Sequence, residues 1–73
     1  MIDTDKLEEM IDESGFKKSF IAEKMGISRF SFWKKCNNRS EFKASEISTL
    51  CGILHITDLS EKEEIFFLPN EWF

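Results

Sequence analysis

The sequence predicts an all-α domain of five helices, and two observations carry that prediction. Apolar residues recur at i, i+3, i+4 and i+7 along most of the chain, the period of helices with one buried face. The helix-breaking residues are few (Gly15, Gly26, Gly52 and Pro69), and Gly15 and Gly26 fall where a periodic segment ends. With 73 residues, 41% of them apolar and 33% charged, residues 1–73 read as one small globular domain, not a disordered segment. A core this small is marginal, and a second copy often adds what it lacks. The longest apolar run, Ile65 to Leu68, is far short of the roughly 18 residues a membrane span needs. The acidic start MIDTDKLEE lacks the basic-then-apolar order of a signal peptide, so the expected location is cytoplasmic.

The first helix is expected from Thr4, as N-cap, to about Ser14. Leu7, Met10, Ile11 and Ser14 form its buried stripe, Asp5, Glu8 and Glu9 suit its N-terminal dipole, and Gly15 ends it. The second runs from about Lys18 to Met25, pairs Ile21 with Met25, and stops at Gly26. Ser28 is a strong N-cap for a third helix from Arg29 to about Cys36. Stepping about 100° per residue puts Phe32 and Cys36 on one face of it. Phe30, Trp33, Lys34 and Asn37 share the opposite face, and Asn37-Asn38 makes a left-handed stop. A fourth helix, about Ala44 to Leu54, buries Ile47, Leu50, Cys51 and Leu54. Its cap position holds Lys43, which accepts no hydrogen bond, so this end should fray unless Ser45 caps it. Ser60-Glu61-Lys62-Glu63 reads as a capping box for a short fifth helix. The remaining tail, 68–73, is rich in aromatics and broken by Pro69.

The net charge of −4 conceals an uneven distribution. Residues 1–16 carry six acids and one base, residues 17–43 eight bases and two acids, and residues 44–73 six acids and one base. A basic centre between acidic flanks fits a polyanion-facing surface on an otherwise solvating body; a mixed-charge surface that happens to cluster is the alternative. Taken singly, Lys17, Lys18 and Lys35 also read as ordinary solvated side chains.

Chemistry of other classes finds little footing. Cys36 and Cys51 are few, fall on apolar helix positions, and read as reduced small hydrophobes. Cys51 and His55 stand i, i+4, but with Cys36 they give three N/S donors where a structural zinc needs four, so no metal is expected. His55 reads as an end-of-helix residue near the C-terminal dipole. There is one His and no Gly-rich phosphate loop, and capping explains Ser28, Ser45 and Ser60, so neither an enzyme, a cofactor nor a small-molecule substrate is expected.

The informative spacing lies in KSFIAEKMGISRFSFWKKCN, residues 18–37. Ala22 lets two helices approach, Gly26 makes the turn, Ile27 plugs the angle, and Phe32 and Cys36 seat the second helix on the first. This is the helix-turn-helix pattern, whose second helix enters the major groove. The segment resembles the helix-turn-helix of the Cro and lambda-repressor family of phage regulators. The preceding helix with Gly15, and ISTLCGILHI downstream, resemble that family's first and fourth helices. RSEFKASEISTLCGILHITD followed by EKEEIFF looks closest to small Cro-like regulators of Gram-positive temperate phages and prophages. The likeness spans roughly residues 4–67.

The resemblance implies a five-helix lambda-repressor-like domain, a transcriptional regulator (a repressor) at palindromic operator DNA in a bacterial host cell. It implies base reading by Ser28, Arg29, Phe30, Trp33 and Lys34, and phosphate contacts by Lys18, Asn37, Arg39 and Lys43. Arg29 or Lys34 suits guanine O6 and N7, and Phe30 and Trp33 suit thymine methyls or sugar faces. Phe30 and Trp33 depart from the short polar residues usual there, and Asn38 stands where Gly is common. Burial of the two rings against a neighbouring helix or the tail is the other reading. A homodimer is expected through Phe66, Phe67, Leu68, Trp72 and Phe73, unless the tail folds back over its own core. The rival function is a helical protein-interaction module, antirepressor-like or antitoxin-like, with Phe30 and Trp33 as hot-spot aromatics.

Overall fold

The structure, a computed structural model, describes residues 1–66. Helix α1 spans Thr4–Ser14, α2 Lys18–Met25, α3 Arg29–Cys36, α4 Ala44–Leu54 and α5 Leu59–Phe66. No strand occurs among the described residues, and no helix among them is long and apolar enough to cross a membrane.

The helix ends show what stops and starts each element. The cap of α1 is Asp3, not Thr4: its carboxylate accepts the Lys6 N–H at 3.1 Å, and Thr4 is the first helical residue. Both residue types cap well, and the choice moves the start by one position. Gly15 (φ 77°) and Gly26 (φ 75°) close α1 and α2 in the left-handed region, where a Cβ would be strained. Ser28 accepts the Ser31 N–H at 3.0 Å and so opens α3, as expected. Helix α4 does not depend on Ser45. The Glu46 carboxylate reaches back to the Lys43 N–H at 2.8 Å, which is half of a capping box and needs no acceptor from Lys43. Helix α5 begins one residue before the expected cap, because the Asp58 carboxylate takes the Ser60 N–H at 3.1 Å. His55 ends α4 in the left-handed region with φ 59°.

The largest fully buried side chains come one from each helix: Leu7, Ile21, Phe32, Leu50 and Ile65. Each contributes about 1.5–3 kcal/mol by leaving water. Helix α2 packs on α3 and α4, while α1 packs on α3, α4 and α5. Edge-to-face rings extend the core from α3 to α5, with Phe32 against Phe42 at 6.4 Å and Phe42 against Phe66 at 5.8 Å.

Phe66 is therefore a core residue. It was expected on a partner-facing tail, but it ends α5, is 4% exposed, and has no surface to give a second copy. The periodicity explains this, because Ile65 and Phe66 together face α1 and the core instead of opening the tail. Phe67, Leu68, Trp72 and Phe73, the other expected dimer contacts, lie outside the described residues.

The chain's first residues are fastened at two points. Asn38, left-handed at φ 60°, accepts the Ile2 N–H at 2.8 Å and donates its amide to the Ile2 carbonyl at 3.0 Å. The next residue, Asp3, donates its N–H to the Ile65 carbonyl at 2.7 Å. A glycine would adopt that conformation too, but only a side chain such as that of Asn38 also pins the N-terminal residues to the loop after α3.

Candidate nucleic-acid interface

Helix α3 is buried on one side and open on the other. Phe32, Lys35 and Cys36 face the interior. Arg29, Phe30 and Trp33 face out, with Phe30 66% and Trp33 47% exposed. The Ser28 cap fixes where the first turn begins, so it also fixes which way Arg29 and Phe30 point. The turn of Gly26, Ile27 and Ser28 is held by the Ile27 N–H donating to the Ala22 carbonyl at 3.1 Å.

Lys18, Arg29, Phe30, Phe32 and Trp33 line one shallow groove. The structure thus brings an expected phosphate residue beside three expected base readers. The Phe30 and Trp33 rings lie nearly parallel, 9° apart, with centroids 6.0 Å from each other. Each ring carries a cation: the Lys34 ammonium is 5.4 Å from the Phe30 centroid, and the Arg39 guanidinium is 5.7 Å from that of Trp33. This row joins Lys34, a base reader by expectation, to Arg39, a phosphate residue by expectation.

The remaining expected residues are differently placed. Asn37 is exposed, and its amide donates to the Trp33 carbonyl at 2.8 Å, satisfying the end of α3. Ser28 spends its hydroxyl oxygen on the cap. Lys43 is exposed at the start of α4, beyond the Arg39 loop, and is not part of the groove. Lys18 is exposed and paired: its ammonium lies 2.7 Å from the Glu8 carboxylate of α1, which holds the ammonium's pKa above its usual value. A phosphate meeting Lys18 competes with that carboxylate.

Three features escaped the sequence reading. Lys35 is not a solvated lysine. It is 9% exposed, its ammonium lies 2.7 Å from the Glu46 carboxylate, and it donates to the Glu41 carbonyl at 3.3 Å. Burial raises the Glu46 carboxyl pKa, but the hydrogen bonds from Lys35 and from the Lys43 N–H outweigh it and hold the group below the usual carboxylate value. The i, i+4 spacing of Phe16, Phe20 and Lys24 was a usable signal for a second ring pair. Phe16 and Phe20 stack at 5.1 Å with the Lys24 ammonium 5.4 Å from the Phe20 ring. The Glu8–Lys18 pair joins residues of different helices, and no local spacing marks it.

The thiols are poor nucleophiles. Burial pushes Cys36 up to about 12, with Glu8 raising it further and Lys18 opposing, and burial also raises Cys51. No family model, curated protein or solved structure matches the chain.

Proposed function

We propose that this protein is a sequence-specific double-stranded-DNA-binding regulator of the Cro type. In this reading α2 and α3 are the helix-turn-helix of a lambda-repressor-like domain, and the protein acts on operator DNA in the cytoplasm of a bacterial cell. The observation that carries the reading is the outer side of α3. Arg29, Phe30 and Trp33 stand exposed there, edged by Lys18, Lys34 and Arg39, on the one stretch of the chain where bases outnumber acids. Arg29 and Lys34 supply donors for base edges, and Lys18, Arg39 and Lys43 supply positive charge for the backbone. Where bound α3 covers DNA that a polymerase would otherwise occupy, the outcome is repression.

A second copy belongs to the proposal on grounds of information. Eight residues of helix extend about 12 Å, so α3 alone reads only a few base pairs. A twofold pair sets two such helices about 34 Å apart on one face of a palindrome. Phe66 takes no part in that pairing.

The test is selection of bound duplexes from a random pool, followed by titration at several salt concentrations. A recurrent palindrome and a linear fall of log affinity with log salt are expected. One observation favours the rival reading of an antirepressor-like or antitoxin-like interaction module: two large exposed rings are what a protein hot spot offers. Absence of binding to any duplex at low salt overturns the DNA reading in favour of that module.

A further inference from the structure

The outer side of α3 repeats one chemical unit twice. Phe30 with Lys34 and Trp33 with Arg39 are each an apolar ring carrying a cation, at 5.4 and 5.7 Å. The two units are held parallel with ring centroids 6.0 Å apart. In the major groove one base edge complements such a unit. Thymine presents a C5-methyl group next to the O4 acceptor, an apolar knob beside a hydrogen-bond acceptor. Cytosine in the same place presents no methyl, and its N4 amino group is a donor that would face a second donor and lose its hydrogen bond. The ring separation of 6.0 Å lies between one and two base-pair rises of about 3.4 Å each, so the two units reach neighbouring pyrimidines.

The same geometry weighs against stacking on unpaired bases. Such stacking needs an open ring face. Here each ring is engaged by its cation and by the parallel neighbouring ring, so an incoming base has to displace one of them.

We infer that Phe30–Lys34 and Trp33–Arg39 are a matched pair of thymine readers, each ring meeting a C5-methyl group and each cation the adjacent O4. This rests on the DNA-binding reading, adds the base class that the site takes, and moves Arg39 from the DNA backbone to a base edge, because its guanidinium sits with Trp33. Arg29, exposed one residue ahead of Phe30, remains available for a purine edge.

The experiment begins with the duplex selected above. Two neighbouring thymines are expected in each half-site. Replacing either by deoxyuridine removes one methyl and is expected to weaken binding roughly fourfold, with the salt slope unchanged. Replacing it by 5-methylcytosine keeps the methyl, reverses the acceptor to a donor, and should weaken binding about tenfold or more. Phe30→Ala and Trp33→Ala alter exposed side chains, and thermal melts establish that both variants stay folded. In Phe30→Ala, deoxyuridine at one thymine position should carry no further penalty, and in Trp33→Ala the same should hold at the other. The inference is overturned if the selected duplex lacks paired thymines, if deoxyuridine costs nothing, if its penalty persists in both alanine variants, or if single strands bind more tightly than the duplex. Failure to bind any duplex is a separate result, because it removes the DNA reading itself before the methyl groups are tested.

Discussion

Lys34 and Lys35 are neighbours in sequence and opposites in structure. Lys34 lies on the outer side of α3, its ammonium over the exposed Phe30 ring. Lys35, about 100° further round the helix, points into the seam with α4 and meets Glu46 at 2.7 Å. One is placed to meet a ligand, and the other holds two helices in register. Helical phase, not residue type or segment charge, decides which lysine stays on the outer side of α3 and which is spent inside. The basic central segment is therefore smaller as a binding surface than its count of bases implies, because Lys35 is spent internally and Lys18 is shared with Glu8.

The largest effect that would break this comparison is thermal. Lys35→Ala leaves the largely covered Glu46 carboxylate without its ammonium, and the expected loss is about 2–4 kcal/mol, below that of a fully buried pair because Glu46 keeps some contact with water. For a domain of this size that lowers the melting temperature by roughly 8–32 °C. Lys34→Ala should shift stability by no more than about 0.5 kcal/mol while weakening duplex binding. Equal melting temperatures for the two variants would show that the two lysines are not distinct. The double variant Lys35→Met with Glu46→Gln keeps an acceptor for the Lys43 N–H, removes both charges, and should recover most of the lost stability.

A second effect is acid sensitivity. The folded Glu46 pKa lies below its unfolded value, so its contribution is fully present above about pH 4.3 and is lost as pH falls through the lower folded value. Denaturant titrations from pH 6 downward should show stability falling in that acid window. The fall should be smaller in the uncharged double variant.

The smallest effect concerns Lys18, which is paired like Lys35 but exposed to solvent. Both members of its pair are nearly half exposed, so the bridge adds little to folding. Glu8→Gln should leave the melting temperature within a few degrees. It should also steepen the salt dependence by about 0.9 in log–log slope and tighten binding roughly fivefold at 0.15 M salt, on every duplex alike. An unchanged slope would mean that Lys18 does not meet phosphate.

How much of this was legible in the sequence follows from the range of each interaction. The helices were legible because their signals are local: the 3.6-residue period, Gly15 and Gly26, and the Ser28 cap. The exposed side of α3 followed from rotating Phe30, Trp33 and Lys34 away from Phe32. What stayed hidden depends on how helices meet. Glu46 lies 11 residues beyond Lys35 and Glu8 lies 10 before Lys18, and only the tertiary arrangement of the helices brings each pair to 2.7 Å. The left-handed turn at Asn38 was readable, but its grip on Ile2 was not. Phe66 was misplaced because an apolar run at the end of a helix reads equally as a last buried turn or as an exposed tail.

The fastening of residues 2 and 3 bears on the order in which the molecule assembles. The Asp3 N–H finds its acceptor on Ile65, so this bond closes a loop of almost the whole described chain, the entropically most demanding kind of contact. The pair formed by α2 and α3 needs only neighbouring residues and is free to form early. The bond to Ile65 waits until α5 exists. During synthesis the outer side of α3 is therefore expected to form before the fold is locked, and on unfolding the lock at residues 2, 3 and 65 is the expected place for opening to begin.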